Sequence, residues 1–190
     1  MITLHYTTPP EWTETVLADF DRFLLDHAAA EKKASGMAMS MVSHYPDKVD
    51  IVRTMTDLAV EELVHFKQVV KLIIARGLTM GNDEKDPYIN ALRKHFRQGT
   101  EYFLLDRLLI AGIIEARGHE RFGMVADALP SGQDKRFYHT ITQSEAKHAD
   151  IFQTLARNYF PEAEITARLD ELLKLEGKIC ARLPFRAALH

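Results

Sequence analysis

Glutamate residues interrupt the apolar faces of the long helices that the sequence predicts. Two of these glutamates are followed three residues later by a histidine, giving Glu62 with His65 and Glu145 with His148. A three-residue step along an α-helix returns a side chain to within about 60° of its starting direction. Each motif therefore presents a carboxylate and an imidazole to the same side of its helix.

Two further glutamates, Glu31 and Glu115, lie at mid-length in the apolar stripes of two other predicted helices. Several carboxylates that converge in a core repel one another, and bound cations would cancel their charge. One glutamate from each of two helices, with Glu-x-x-His from each of two others, is the ligand set of di-iron and di-manganese helix bundles. The predicted metal ligands, which are also the predicted catalytic residues, are Glu31, Glu62, His65, Glu115, Glu145 and His148.

The order of these residues repeats along the chain. Glu31 precedes Glu62 by 31 residues and Glu115 precedes Glu145 by 30, and each gap suits a pair of long antiparallel helices. Zinc hydrolase chemistry is disfavoured, because no His-Glu-x-x-His motif occurs and carboxylate-rich sites suit iron or manganese better.

Helical start and stop signals predict the elements that must position these ligands. Four long helices are separated by proline and glycine signals, and no segment alternates with period two over a strand length. The helices are predicted at about 10–44 with a break near Asp19, then at 47–76, 86–97, 100–129, 133–158 and 161–182. No flexible linker occurs. The pattern predicts an all-α bundle of four long helices with short accessory helices, in a single domain over residues 1–190.

Composition sets the broad class of the protein. The 190 residues are 46% apolar, which suits a compact domain whose core needs no disulfide. Cys180 is the single cysteine, which favours a reducing compartment. No run approaches the roughly 18 apolar residues of a membrane span, and the first residues lack a signal-peptide pattern. We therefore expect a soluble cytoplasmic protein with no membrane partner.

The formal net charge of −3 gives no global basic field for nucleic acid. Neutralising the four candidate glutamates with metal would change the balance of the remaining charges to 24 − 23 = +1. The densest basic cluster is 93–97. With Arg53, Lys67, Lys71 and Arg76 it forms a candidate phosphate-binding patch.

Four stretches that contain the predicted ligands resemble motifs of one enzyme family, the tRNA 2-methylthio-N6-isopentenyladenosine hydroxylases. The stretches are 25–34, 61–66, 114–122 and 144–148. The most specific is the string Glu-Ala-Arg-x-x-Glu-Arg-Phe that begins at Glu115. The resemblance extends over about residues 10–160. Lys147 stands where members of the family often carry arginine.

This resemblance implies a ferritin-like fold and a non-haem di-iron centre held by the six residues named above. It also implies O2-dependent hydroxylation of the isopentenyl group of a hypermodified adenosine beside the anticodon, so the anticodon arm of tRNA is an expected partner. Two electrons must come from outside, because one cysteine cannot hold an iron–sulfur cluster; a ferredoxin or reductase partner is expected. Arg117 and Arg121 match the family string and are expected in ion pairs behind the ligands or on the surface.

Several alternatives remain open from the residues alone. A ferritin-like protein that oxidises and stores iron uses the same six ligands, and a manganese catalase uses a similar set. A rubrerythrin-like peroxidase is weakened by the missing cysteine-rich module, and a metal-free bundle leaves four core glutamates uncompensated. His27 and His119 each lie one turn from a predicted ligand and could either face the site or be hydrogen-bonded core histidines.

Overall fold

The computed structural model describes residues 2–190, which contain seven α-helices and no strand. The helices are α1 Pro10–Ala18, α2 Phe20–His44, α3 Val49–Ala75, α4 Pro87–Arg93, α5 Thr100–Ala128, α6 Gln133–Tyr159 and α7 Glu162–Cys180. The predicted all-α fold is confirmed. Across the described residues, no helix combines the length and the apolar character that a membrane span requires.

Local side-chain chemistry sets several of the helix boundaries. The predicted break near Asp19 is present, and the Asp19 carboxylate accepts the Arg22 backbone N–H at 3.3 Å as the N-cap of α2. Asp86 caps α4 by accepting the backbone N–H groups of Tyr88 and Ile89. Gly77 follows α3 with a φ of 73°, a conformation that glycine adopts without strain.

Helix α4 ends at Arg93, whereas the sequence predicts its end near Arg97, so the helix is shorter than predicted. The backbone N–H of Arg97 donates to Asp106 at 2.7 Å, and its guanidinium donates to the same carboxylate. Asp106 is fully buried and also accepts two hydrogen bonds from Arg168. Burial opposes its ionisation, yet these donors hold the pKa of Asp106 below its ordinary value. Part of the predicted basic patch is thus used in an internal ion pair.

The helices form two compact units, and the prediction of one domain over residues 1–190 stays a prediction. One unit comprises residues 15–84 and 187–189, and its centre is the antiparallel pair α2 and α3. Phe23 and Ala28 of α2 and Met55 and Val69 of α3 are fully buried, as the apolar stripes predict. Ion pairs from Arg22 to Glu84 and from Lys32 to Asp83 attach the loop after α3 to α2.

The other unit comprises residues 2–14, 85–186 and 190, and its centre is the pair α5 and α6, against which α7 packs. Gly112 permits a close approach of these two helices. A Cβ atom there would lie 3.0 Å from Ile2 Cδ1 and 3.3 Å from Phe152 Cβ. A side chain at this position would therefore force the helices to shift.

A buried ion pair joins α5 to α7 in this unit. Arg117 Nε and Nη2 donate to Glu176 at 2.8 and 3.0 Å, and Arg117 also pairs with Glu120. The Glu176 carboxylate further accepts from Tyr88 at 3.1 Å and from the Cys180 thiol at 3.1 Å. Burial raises the pKa of Cys180 to about 12, with the charge of Glu176 adding to the effect, so the thiol stays protonated.

Arg117 lies in neither of the expected places, behind the predicted ligands or on the surface. Its side chain is fully buried, and its hydrogen bonds go to Glu120, Glu176 and Thr8, none of them a predicted ligand. Although burial opposes the charge, hydrogen bonds to Glu176 hold the pKa of Arg117 above its ordinary value. Arg121 is also buried, with its guanidinium 4.9 Å from the centre of the Trp12 ring.

We expect Arg117→Leu to lower the free energy of unfolding by about 3–5 kcal/mol, because it leaves the Glu176 carboxylate buried without its cation. Chemical denaturation measures the effect. The matched control is Arg157→Leu, which removes a largely exposed pair with Glu162 and should cost a small fraction as much. The double variant R117L/E176Q should recover part of the loss. Equal losses in the two single variants would contradict a structural role for the buried pair.

Candidate metal centre

The pair α2 and α3 brings three of the predicted ligands together. Glu31 lies on α2, and Glu62 and His65 lie one turn apart on α3. His65 Nδ1 is 3.6 Å from Glu31 Oε2 and 3.5 Å from Glu62 Oε2. All three side chains are buried, and each offers a ligand atom within 4.8 Å of the others. We call these residues the first triad.

The pair α5 and α6 holds the other three. Glu115 lies on α5, and Glu145 and His148 lie one turn apart on α6. His148 Nδ1 is 3.9 Å from Glu115 Oε2 and 3.6 Å from Glu145 Oε2. These three side chains are also buried, and each offers a ligand atom within 4.8 Å of the ligand atoms of the other two. We call them the second triad.

The two triads have the same construction. In each, one helix supplies a single glutamate, and its antiparallel neighbour supplies a glutamate and a histidine in successive turns. Each imidazole lies between 3.5 and 3.9 Å from both carboxylates of its triad. The repeated spacing in the sequence is therefore a repeated geometry in the structure.

The donor set of each triad fits a divalent transition-metal ion. Two carboxylates close together in a buried place repel each other, and a cation adjacent to both would remove that repulsion. Carboxylate and imidazole donors suit iron and manganese, whereas a structural zinc site is usually built with cysteine. The residues present thus match the class of metal that the spacing predicts.

His27 supports the first triad from behind. Its Nε2 atom is 2.5 Å from Glu31 Oε1, and both side chains are buried. Burial, aided by the nearby charge of His65, lowers the pKa of His27 to about 3, so the imidazole is neutral at pH 7. Toward an ionised carboxylate a neutral imidazole can only donate, which fixes the proton on Nε2.

The Phe23 ring lies 6.2 Å from the His27 ring, centre to centre, and is itself fully buried. His27 and Glu31 are buried as well, so the bond between them is screened from solvent. The corresponding position before Glu115, four residues earlier, is Ala111. The two triads contain the same types of residue, but an alanine in α5 takes the position before Glu115 that His27 takes before Glu31.

Sequence reasoning left the roles of His27 and His119 undecided. Their four-residue spacing from Glu31 and Glu115 was the available signal, since side chains four apart lie on one helix face. In the structure His27 contacts a predicted ligand, whereas His119 Nδ1 bonds the Thr142 backbone carbonyl at 2.9 Å. His119 is therefore a hydrogen-bonded histidine between α5 and α6.

Comparison with known proteins identifies the family of this chain. The family model described as tRNA-(MS[2]IO[6]A)-hydroxylase (MiaE) matches residues 1–190. The chain belongs to the MiaE family. A curated relative from Pseudomonas putida, named tRNA 2-(methylsulfanyl)-N(6)-isopentenyladenosine(37) hydroxylase, is 38% identical over 167 residues, which are 88% of this chain and 80% of that protein.

A second relative, from Salmonella typhimurium, has the same name. It is 31% identical over 154 residues, which are 81% of this chain and 56% of the Salmonella protein. The match therefore spans little more than half of that longer relative. Membership of the MiaE family makes this chain an oxidoreductase enzyme and confirms the resemblance drawn from the four motifs.

A solved structure is also similar to this chain. It is described as Protein 43 with aldehyde deformylating oxygenase activity from Synechococcus, and it is 33% identical. The TM-score is 0.95, with 100% of this chain and 96% of that chain covered. This likeness confirms the predicted ferritin-like helical fold for the MiaE-family chain.

We expect His27→Leu to weaken Fe(II) binding by about 10- to 100-fold, because loss of a partner behind a ligand misdirects that ligand. Anaerobic calorimetric titration measures the affinity. His27→Gln, whose amide can donate where Nε2 does, should restore most of it. The control His44→Leu removes an exposed histidine from the same helix and should have no effect. Unchanged iron affinity in His27→Leu would show that Glu31 needs no such support.

Proposed function

We propose that the two triads supply the six ligands of a non-haem centre of two iron ions. The proposed ligands, and the residues on which catalysis depends, are Glu31, Glu62, His65, Glu115, Glu145 and His148. The support is the ligand chemistry of two buried triads, together with membership of a hydroxylase family across the whole chain. Four carboxylates and two imidazoles are the set that helix bundles use to hold two such ions.

We further propose that this enzyme hydroxylates the isopentenyl group of the hypermodified adenosine next to the anticodon of tRNA. The observation that carries this proposal is the match of the family model to residues 1–190, reinforced by the names of the two curated relatives. The anticodon arm would then be the macromolecular substrate. Because tRNA is modified where it is used, we assign the protein to the cytoplasm.

Bound iron would supply the activation of O2 that insertion of oxygen into a C–H bond requires. The residues of the chain hold and orient that chemistry. In such a centre the four carboxylates would lower the net charge, and the imidazoles of His65 and His148 would add nitrogen donors. The hydrogen bond between His27 Nε2 and Glu31 Oε1 holds this carboxylate in a fixed direction.

Hydroxylation of one C–H bond by O2 consumes two electrons and two protons and releases one water, while the substrate gains one oxygen atom. The single cysteine, Cys180, is buried and protonated and cannot supply these electrons as a dithiol. We therefore propose an external electron donor, a ferredoxin or a reductase. The second substrate, O2, accepts the electrons.

A second candidate function follows from the solved structure with aldehyde deformylating oxygenase activity, which is 33% identical to this chain. An enzyme of that kind would act on an aldehyde and not on a nucleic acid. The family match and the 38% identity to a tRNA hydroxylase favour the tRNA substrate. The ferritin-like storage and manganese catalase alternatives have no comparable support from the relatives.

We expect the iron-loaded protein, given reductant and O2, to convert the isopentenyl adenosine of hypomodified tRNA into a nucleoside heavier by one oxygen atom. Mass spectrometry of digested tRNA measures the product. Glu115→Ala should lose iron loading and reduce turnover by at least about 100-fold. The control Glu101→Ala changes an exposed glutamate on the same helix and should retain both.

The same preparation separates the alternatives. No hydroxylated nucleoside from iron-loaded protein would refute the assigned substrate. Conversion of an aldehyde in its place would support the deformylating activity. Manganese in the purified protein with peroxide consumption would indicate a catalase, and full iron content in Glu115→Ala would refute the ligand assignment.

A further inference from the structure

The side of α3 that faces away from Glu62 and His65 combines exposed aliphatic side chains with basic ones. These side chains follow one another at steps of seven, four, three, four and three residues, which keeps them within a sector of about 80° of the helix circumference. The centre of this sector lies about 170° around the helix from Glu62 and His65. We call this sector the outer face of α3. It is defined by Arg53, Val60, Val64, Lys67, Lys71 and Ile74.

The aliphatic members of the outer face are unusually accessible. Val60 is 58% exposed, Val64 is 47% exposed and Ile74 is 67% exposed. Single exposed aliphatic residues are ordinary, but three in one helical stripe form a patch that a partner can cover. No carboxylate lies in the same sector, since Asp57 and Glu61 fall beyond its edge.

The basic members of the outer face differ from the other cations of their unit. Residues 15–84 contain eight arginine and lysine residues. Five of them have an oxygen partner: Arg22, Lys32, Lys33, Lys48 and Arg76. The remaining three, Arg53, Lys67 and Lys71, form no ion pair with any of residues 2–190 and are exposed. All three lie on the outer face.

Helix α3 thus has metal ligands on one side and an exposed aliphatic and basic surface on the other. An α-helix with its side chains is about 10–12 Å across, so a donor docked on the outer face would lie one helix thickness from Glu62 and His65. An electron can cross a packed helix, whereas an adenosine cannot pass through its backbone. The outer face therefore suits delivery of electrons and not delivery of substrate.

We propose that the outer face of α3 is the docking surface for an acidic electron-transfer protein that carries an iron–sulfur cluster or a flavin. This inference rests on the proposed function, which needs two electrons and two protons for each C–H bond hydroxylated. Aliphatic contacts among cations form the small, partly apolar interface with complementary charge that is typical of transient redox complexes. The cations attract the acidic partner, and the aliphatic residues exclude water at the contact.

The same cations could attract the phosphates of tRNA, as the sequence pattern suggested for Arg53, Lys67 and Lys71. Two observations favour the protein partner. Binding of phosphate gains no free energy from the aliphatic side chains of Val60 and Val64, which lie between Arg53 and Lys67 on the outer face. A prenyl group that must reach the ligand side of α3 also has to enter from a different direction.

The test compares K67E/K71E with K178E/R182E. Both variants reverse two exposed charges four residues apart, and the second pair lies at the end of α7. The probe is an acidic [2Fe–2S] ferredoxin with its NADPH-dependent reductase. Calorimetry measures ferredoxin affinity at low salt, gel shift measures tRNA affinity, and nucleoside analysis measures turnover with either ferredoxin or dithionite as the reductant.

We expect K67E/K71E to weaken ferredoxin binding at least tenfold and to lower ferredoxin-driven turnover equally. Its dithionite-driven turnover and tRNA affinity should equal those of K178E/R182E. V60S/V64S should weaken ferredoxin binding without changing its salt dependence. Ferredoxin affinity that is absent in the wild type or unchanged in K67E/K71E overturns the proposal, and a selective loss of tRNA affinity reassigns the surface to RNA. Failure of dithionite-driven hydroxylation in every variant would instead refute the proposed function.

Discussion

The repulsion between buried carboxylates is the constraint on which the rest of this structure depends. Each helix pair holds two glutamates and one histidine within a few ångströms, in places where a core hydrophobe would cost nothing. A fold keeps such groups only if something else compensates them. Here the His27 bond to Glu31 supplies polar support, and metal ions of the kind that the triads are suited to bind would supply the charge compensation.

Local signals in the sequence were sufficient for much of the fold and for the residues of the two triads. Helix ends at Asp19, Asp86 and Gly77 follow from capping and glycine chemistry that acts within a few residues. The triads were also predictable, because Glu-x-x-His spacing and helical periodicity are local properties. The early end of α4 was not, since Arg97 bonds Asp106, which is nine residues further along the chain and hydrogen-bonded to Arg168 of α7.

Long-range pairing explains the remaining differences from the sequence-based picture. The sequence predicted Arg117 near the ligands or on the surface. Its partner Glu176 is 59 residues away along the chain and lies in no distinctive sequence motif. Such a pair is determined by which helices pack together. The role of His27 was partly predictable, because the spacing places it on the same helix face as Glu31 but does not show which atom it bonds.

The presence of His27 in one helix pair and Ala111 at the matching place in the other breaks the symmetry of the internal repeat. The hydrogen bond from the His27 imidazole draws electron density from the Glu31 carboxylate, whereas the methyl group of Ala111 cannot form a hydrogen bond with Glu115. The surroundings of the two triads therefore differ although their residue types are the same, so the two ions of the proposed centre would not be equivalent. Inequivalent ions would differ in reduction potential, which suits an electron donor that delivers one electron at a time.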